Sequence, residues 1–207
     1  FEYNNNIITT LSYVYKNKAS YSYECLINYA GATISWLKNN LKIISNENQI
    51  NKIFSNTKNT EGVVFVPAFV GLSSPYWKPN SKALIHGLTP SINKNQIIRA
   101  ALESIAFQIK DYLDDLEVKN KIKYNEIYID GGIVSNTSFM QFLTNSLNKK
   151  IYVTNYKDMS SYGALMMGLL GMGIKKNFKE IEKLKQKYLI YIPSKDKGAN
   201  QSYANWK

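Results

Sequence analysis

The chain contains one cysteine, one histidine and one arginine in 207 residues. Cys25 alone cannot close an intrachain disulfide and His86 alone cannot anchor a zinc site, so a disulfide scaffold and a Cys/His metalloprotein are both excluded. No apolar run approaches the roughly 18 residues that a membrane span needs, and no signal peptide opens the chain, so no membrane partner is expected and a cytoplasmic location is. Internal repeats are missing too. The lack of arginine also qualifies the charge. Lys+Arg of 26 against Asp+Glu of 15 leaves +11, yet nearly all of it is lysine, whereas phosphate and base recognition favours the planar fork of arginine. Asparagine is abundant as well, at 24 residues. The two rising together read as drift at solvated positions rather than a nucleic-acid footprint, and no nucleic-acid partner is expected.

What is present is a core. Hydrophobic residues make up 44% and aromatic residues 13% of a 23.7 kDa chain, enough to fold one large domain and to exclude general disorder. Alternation over Ile7, Thr9, Leu11, Tyr13 and Tyr15, a turn at Lys16-Asn17-Lys18 and a second run Ser20–Ile27 predict a leading hairpin, with Cys25 inside its second strand. Helices are predicted over Ala30–Leu41 and Glu47–Ser55, and a buried strand at Val63–Val66. A loop follows over Gly71–Pro79, then a short strand at Ala83–His86. Apolar residues recur every four from Ile97 to Leu113 behind a cap-capable Asn93, predicting a long helix over Lys94–Leu116. A strand over Ile127–Asp130, the glycine pair, a helix opened by Ser135-Asn136 and running through about Leu147, a strand at Ile151–Val153, a helix over Ser160–Leu170 and a lysine-rich helix near Phe178–Lys187 complete the pattern. Alternating helices and strands behind a hairpin predict an α/β fold. The chain opens Phe1-Glu2-Tyr3 with no initiator methionine, so it is expected to be part of a longer protein.

Three segments could carry chemistry. In Ile129-Asp130-Gly131-Gly132-Ile133-Val134-Ser135-Asn136 an apolar strand runs into an acid and two glycines before a cap-capable Ser-Asn pair. Bare glycine backbone lets a ligand lie against the main chain, and a helix start offers N–H groups to phosphate; the alternative is an ordinary turn that needs positive φ. Ala30-Gly31-Ala32-Thr33-Ile34-Ser35-Trp36 puts small residues at a helix start, where either a ligand or another helix could approach closely, with Trp36 suited to the core. Phe69–Trp77 is an aromatic loop, either a cover over a cleft or a packed cap. Cys25, His86 and the Asp114-Asp115 pair read as structural or solvated residues. No Walker A sequence, Ser/His/Asp order or metal-ligand spacing is present.

Taken together, Gly62–Phe69, Gly71–Trp77, Ala83–Thr89, Ile97–Gln108, the Asp-Gly-Gly segment and Met140-Gln141-Phe142 resemble the FGGY carbohydrate kinase family, and within it the C-terminal half of the glycerol kinases. Ala83–Glu103 fits that family's second signature, and the Pro75-Tyr76-Trp77 loop with the Ala30-Gly31 helix start favours the glycerol branch over xylulose or gluconate kinases. The resemblance runs from about Ile7 to Trp206.

The resemblance implies a ribonuclease-H-like domain of the actin/hexokinase/Hsp70 class, a mixed sheet with flanking helices. The whole chain, 1–207, would be one C-terminal domain that binds nucleotide. It also implies ATP with Mg2+ held mainly outside this chain, transfer of the γ-phosphoryl of ATP to glycerol, and pairing of the full-length protein as a homodimer. By position, Gly31 would lie beside the adenine, Gly132 would bring its N–H to the phosphates and Asn136 would hydrogen-bond the base. Ser35 stands where bacterial relatives carry a longer amide, so its reach is shorter; Cys25 stands where relatives have glycine. The catalytic aspartate and the polyol contacts would lie in a preceding half, so this chain alone is expected to be inactive. Another sugar or polyol kinase of the family, or a non-catalytic actin-like module, is the alternative.

Overall fold

The computed structural model describes residues 7–156, 158–184, 187–195 and 198–207. The opening Phe1-Glu2-Tyr3 and the expected C-terminal part of the lysine-rich helix, residues 185 and 186, lie outside them. Strand β1 (Ile8–Tyr15) turns back through Lys16 and Asn17, both at positive φ, into β2 (Lys18–Glu24). The register slips between Leu11 and Tyr13. This irregularity breaks the single face that strict alternation predicts, and Leu11 and Val14 both stand exposed. Cys25 lies just past β2, not within it. Its Sγ is 3.8 Å from the Ser74 carbonyl, and burial pushes the thiol up to about 11, which makes it a poor nucleophile.

Helices α1 (Gly31–Asn39) and α2 (Glu47–Asn56) follow, then β3 (Val64–Val66) and β4 (Leu84–His86), which pair antiparallel. Between these strands the Phe69–Trp77 loop is a packed cap. Tyr29, Trp36 and Phe65 ring Phe69, with centroids 4.7–6.3 Å away. Gly71 is obligatory there, because at its φ of +80° a Cβ would sit 2.4 Å from the Pro79 carbonyl oxygen.

Helix α3 (Lys94–Asn120) is the axis of the molecule. Asn93 caps its start as expected and forms a capping box with Gln96, and the helix runs one turn beyond the expected end. Its Ile98, Ala101, Leu102, Ile105 and Ala106 are buried against Leu37 of α1, Phe54 of α2 and Phe65 of β3. Strand β5 (Glu126–Ile129) leads through a 3-10 turn (Gly132–Ser135) into α4 (Thr137–Leu147), whose Phe139, Met140 and Leu143 close the same core. The helix expected to open at the Ser135-Asn136 pair is α4, and the four residues before Asn136 form a separate 3-10 turn. Asn136 separates the two with extended backbone (φ −86°, ψ 91°) so that its side chain can cap α4.

Strand β6 (Lys150–Thr154), α5 (Met159–Gly171), α6 (Phe178–Glu182), β7 (Tyr188–Tyr191) and α7 (Gly198–Trp206) finish the chain. The order is β5-β6-β7, with β5 and β6 parallel and β7 antiparallel to β6, so the sheet is mixed.

The chain's one arginine is spent on this framework. Arg99 donates from Nε to Glu103 at 2.7 Å and from one terminal nitrogen to the carbonyls of Phe54 (2.9 Å) and Thr57, while its guanidinium lies 4.5 Å over the Phe54 ring. It ties the end of α2 to α3. Lysine cannot serve three acceptors from one plane, so Arg99→Lys is expected to lower stability by about 2 kcal/mol. Urea unfolding checks it; an unchanged midpoint would remove this role.

Candidate nucleotide cleft

Four segments distant in sequence meet at one cleft of about 540 Å³. Helix α1 supplies Gly31 and Ser35, the 3-10 turn supplies Gly132 and Ser135, and Asn136 closes the end. The walls are aliphatic: Ile34, Ile50, Leu102 and Ile133 each come from a different element. Among the described residues none that lines the cleft is charged. Such a slot suits a flat, neutral, hydrogen-bonding group more than a cluster of phosphates.

The two glycines of the Asp-Gly-Gly turn do different things. Gly131 sits at φ +98°, which L side chains rarely adopt, so it carries the turn. Gly132 is not at positive φ, and a Cβ built on it meets nothing within 4 Å. The same is true of Gly31. Neither backbone strain nor packing inside the protein demands glycine at these two positions. Their missing side chains leave open main chain facing the cleft.

Asn136 is 4% exposed. Its Oδ1 accepts the Phe139 N–H at 2.9 Å, capping α4. Its Nδ2 is buried with no hydrogen-bond partner, a cost of about 1–3 kcal/mol unless something else fills the position. Because Oδ1 caps α4, the amide cannot flip without losing that cap, so the unpartnered group of this cleft-lining residue is a donor. At the start of α4 this cap takes up the Phe139 N–H, whereas α1 begins at Ala30 with no side-chain cap.

All four residues singled out from sequence therefore line one cavity. Ser35 Oγ is turned back toward the Gly31 carbonyl at 3.4 Å. Ile50 and Asn51 of α2 carry no motif and were not singled out. Ser135 was visible only as half of a capping pair. Trp36 faces Phe65 and Phe69 on the core side, and no residue of the Gly71–Trp77 loop lines the cleft. His86 is exposed on β4. Asp114 and Asp115 pair with Lys110 (3.0 Å) and Lys119 (2.8 Å) one turn away on α3, so they are a solvated face. Among the described residues no helix is long and apolar enough to cross a membrane.

The mixed sheet, its flanking helices and an open cleft define an α/β domain of the ribonuclease-H-like, actin/hexokinase type. Residues 8–172 match the FGGY family of carbohydrate kinases, C-terminal domain, and the chain belongs to that family. A glycerol kinase of Aeromonas hydrophila is 36% identical over 208 residues, covering 99% of this chain and 41% of the relative. The crystal structure of Plasmodium falciparum glycerol kinase with ADP superposes with a TM-score of 0.85 at 33% identity, over 97% of this chain and 40% of that one. A ligand-bound xylulose kinase from Lactobacillus acidophilus, 21% identical, reaches 0.74 over 85% of this chain and 36% of that one, and shares the fold. The chain thus spans about two-fifths of the length of the curated relatives it matches.

Proposed function

We propose that this chain is the nucleotide-binding half of a glycerol kinase, one C-terminal domain over residues 1–207, and that the whole enzyme moves the γ-phosphoryl of Mg-ATP to glycerol, giving sn-glycerol 3-phosphate. The observation that carries the reading is Asn136, a buried residue of the cleft lining whose amide nitrogen lacks a partner. In this reading that Nδ2 donates to a ring nitrogen of adenine, and Gly31 lies against the base. The Gly132 main chain, clear of any side chain, meets the phosphates, and Ser35 makes at most a short contact. The greater similarity to glycerol kinases than to the xylulose kinase supports glycerol over another polyol. No group of three or more His, Cys, Asp or Glu among the described residues could hold a metal ion. Magnesium would therefore be held by the phosphates and by the preceding half. That half would also supply the general base and the polyol contacts, since phosphoryl transfer depends on positioning between two closed lobes. We place the full-length enzyme in the cytoplasm, as a homodimer.

Turnover of the full-length protein tests the reading: phosphorylation of glycerol no better than of xylulose or gluconate overturns it. This chain alone is expected to turn over nothing. Asn136→Asp separates cap from ligand contact. The carboxylate still caps α4, but its second oxygen replaces Nδ2 in a buried position without a donor, so stability should fall by about 1–3 kcal/mol or more while the protein stays folded. The donor is gone, so the KM for ATP should rise about tenfold or more while that for glycerol moves little. Steady-state kinetics with both substrates reads this split. Unchanged ATP kinetics would show that the amide nitrogen meets no base.

A further inference from the structure

The inference concerns which base the cleft accepts, and it rests on the nucleotide reading above. Four polar side chains line the cleft: Ser35, Asn51, Ser135 and Asn136. Asn136 is committed as a donor by its cap. Ser135 is committed the other way. Its Oγ donates its one proton to the Gly132 carbonyl at 2.9 Å, within the 3-10 turn, so only lone pairs remain to meet a ligand. The other two are not committed. At 3.4 Å from the Gly31 carbonyl, the Ser35 hydroxyl is held too weakly to resist turning. Asn51 carries donor and acceptor on one amide and can satisfy either by flipping. Adjacent residues thus offer one fixed donor and one fixed acceptor.

We propose that Ser135 selects the base, its Oγ accepting the 6-amino hydrogen of adenine while Asn136 Nδ2 donates to a ring nitrogen. Adenine presents an acceptor, N7, beside a donor, the N6 amino group; the 6-oxo purines present two acceptors, N7 and O6. A 6-oxo base must either set its oxygen against the Ser135 lone pairs or make Ser135 give up Gly132 and loosen the turn. Either penalty falls only on the wrong base, so selection works by rejection as well as attraction.

Displacement of a fluorescent ADP analogue from the full-length protein, by ADP and by inosine diphosphate in parallel, tests the proposal. ADP should compete about tenfold better than inosine diphosphate. S135A should bring the two within about twofold, mainly by weakening ADP, and S135T, which keeps the hydroxyl, should retain the preference. Ser135 is exposed, so both variants should keep the parent's thermal midpoint. A preference that S135A leaves intact, or an equal weakening of both nucleotides, overturns the role of Ser135 and leaves the nucleotide reading standing. A parent protein that binds neither diphosphate removes the nucleotide reading, and this proposal with it.

Discussion

Asp111→Ala is expected to cost about 3–5 kcal/mol of stability, among the largest losses from any single substitution in this chain. The carboxylate is 4% exposed and accepts four hydrogen bonds from two separate segments. Tyr76 donates from the capping loop; Tyr203 (2.5 Å), Trp206 Nε1 (2.7 Å) and Lys207 Nζ (2.6 Å) donate from α7 and the C-terminus. Removing it strands buried donors and frees α7 from α3 at once. For a chain of this size the loss corresponds to a fall of roughly 10 °C in melting temperature. Its pH dependence follows from the same contacts. Burial alone would raise the carboxyl, but the bonds from Lys207, Tyr203, Tyr76 and Trp206 outweigh it and hold the group below the ordinary carboxylate range. A depressed folded-state pKa gives stability that is complete above the unfolded value and is lost as pH falls through the folded one. Asp111→Asn should therefore be less stable than the parent at neutral pH, and the gap should narrow as pH drops below about 4. Thermal melts across pH 2–7 check both points; a gap that stays constant across that range would show that the charge on Asp111 contributes nothing.

That clamp also shows where the sequence stops being legible. Asp111 lies 92 residues before Tyr203 and reads on its own as one more acid on a helix. Nothing local to Gly198–Trp206 announces that its aromatic residues converge on a carboxylate. Helix α3 was readable because both of its signals are local: a four-residue apolar repeat and a cap three residues from its partner. Strand β7 was not. Tyr188–Tyr191 is four residues long, and only pairing with β6, more than thirty residues earlier, makes it a strand. The slip between Leu11 and Tyr13 is likewise set by a partner strand, and alternation alone cannot foresee it.

The cleft divides in the same way. Gly31, Ser35, Gly132 and Asn136 belong to local patterns that could be matched, and they meet around a cleft that Leu102 of α3 also lines. Ile50 and Asn51 line the cleft because Arg99 and the Phe54 ring hold α2 against α3, a tertiary reason with no trace in the α2 sequence. The committed chemistry of Ser135 and Asn136 depends on which backbone atoms their side chains reach. A cap-capable pair in the sequence does not tell that Ser135 bonds back into a 3-10 turn while Asn136 caps α4.

Gly132→Val should leave the fold intact and remove most use of ATP. Gly132 is not at positive φ, and a Cβ there meets nothing within 4 Å, so the melting temperature should barely move. Two methyl groups would then stand where the proposed nucleotide touches main chain. Displacing a reacting group by about an ångström can cost on the order of 100-fold in rate, so kcat/KM for ATP in the full-length protein should fall by roughly that factor. Gly131→Val is the necessary contrast. At φ +98° that residue carries the turn itself, so valine there should strain the backbone and lower stability by about 1–3 kcal/mol. A turn with no ligand predicts the reverse of the first result: Gly132→Val would leave ATP kinetics untouched, and only the Gly131 variant would show a defect. The two variants differ by one position along the chain and separate the residue that bends the backbone from the one that leaves it bare.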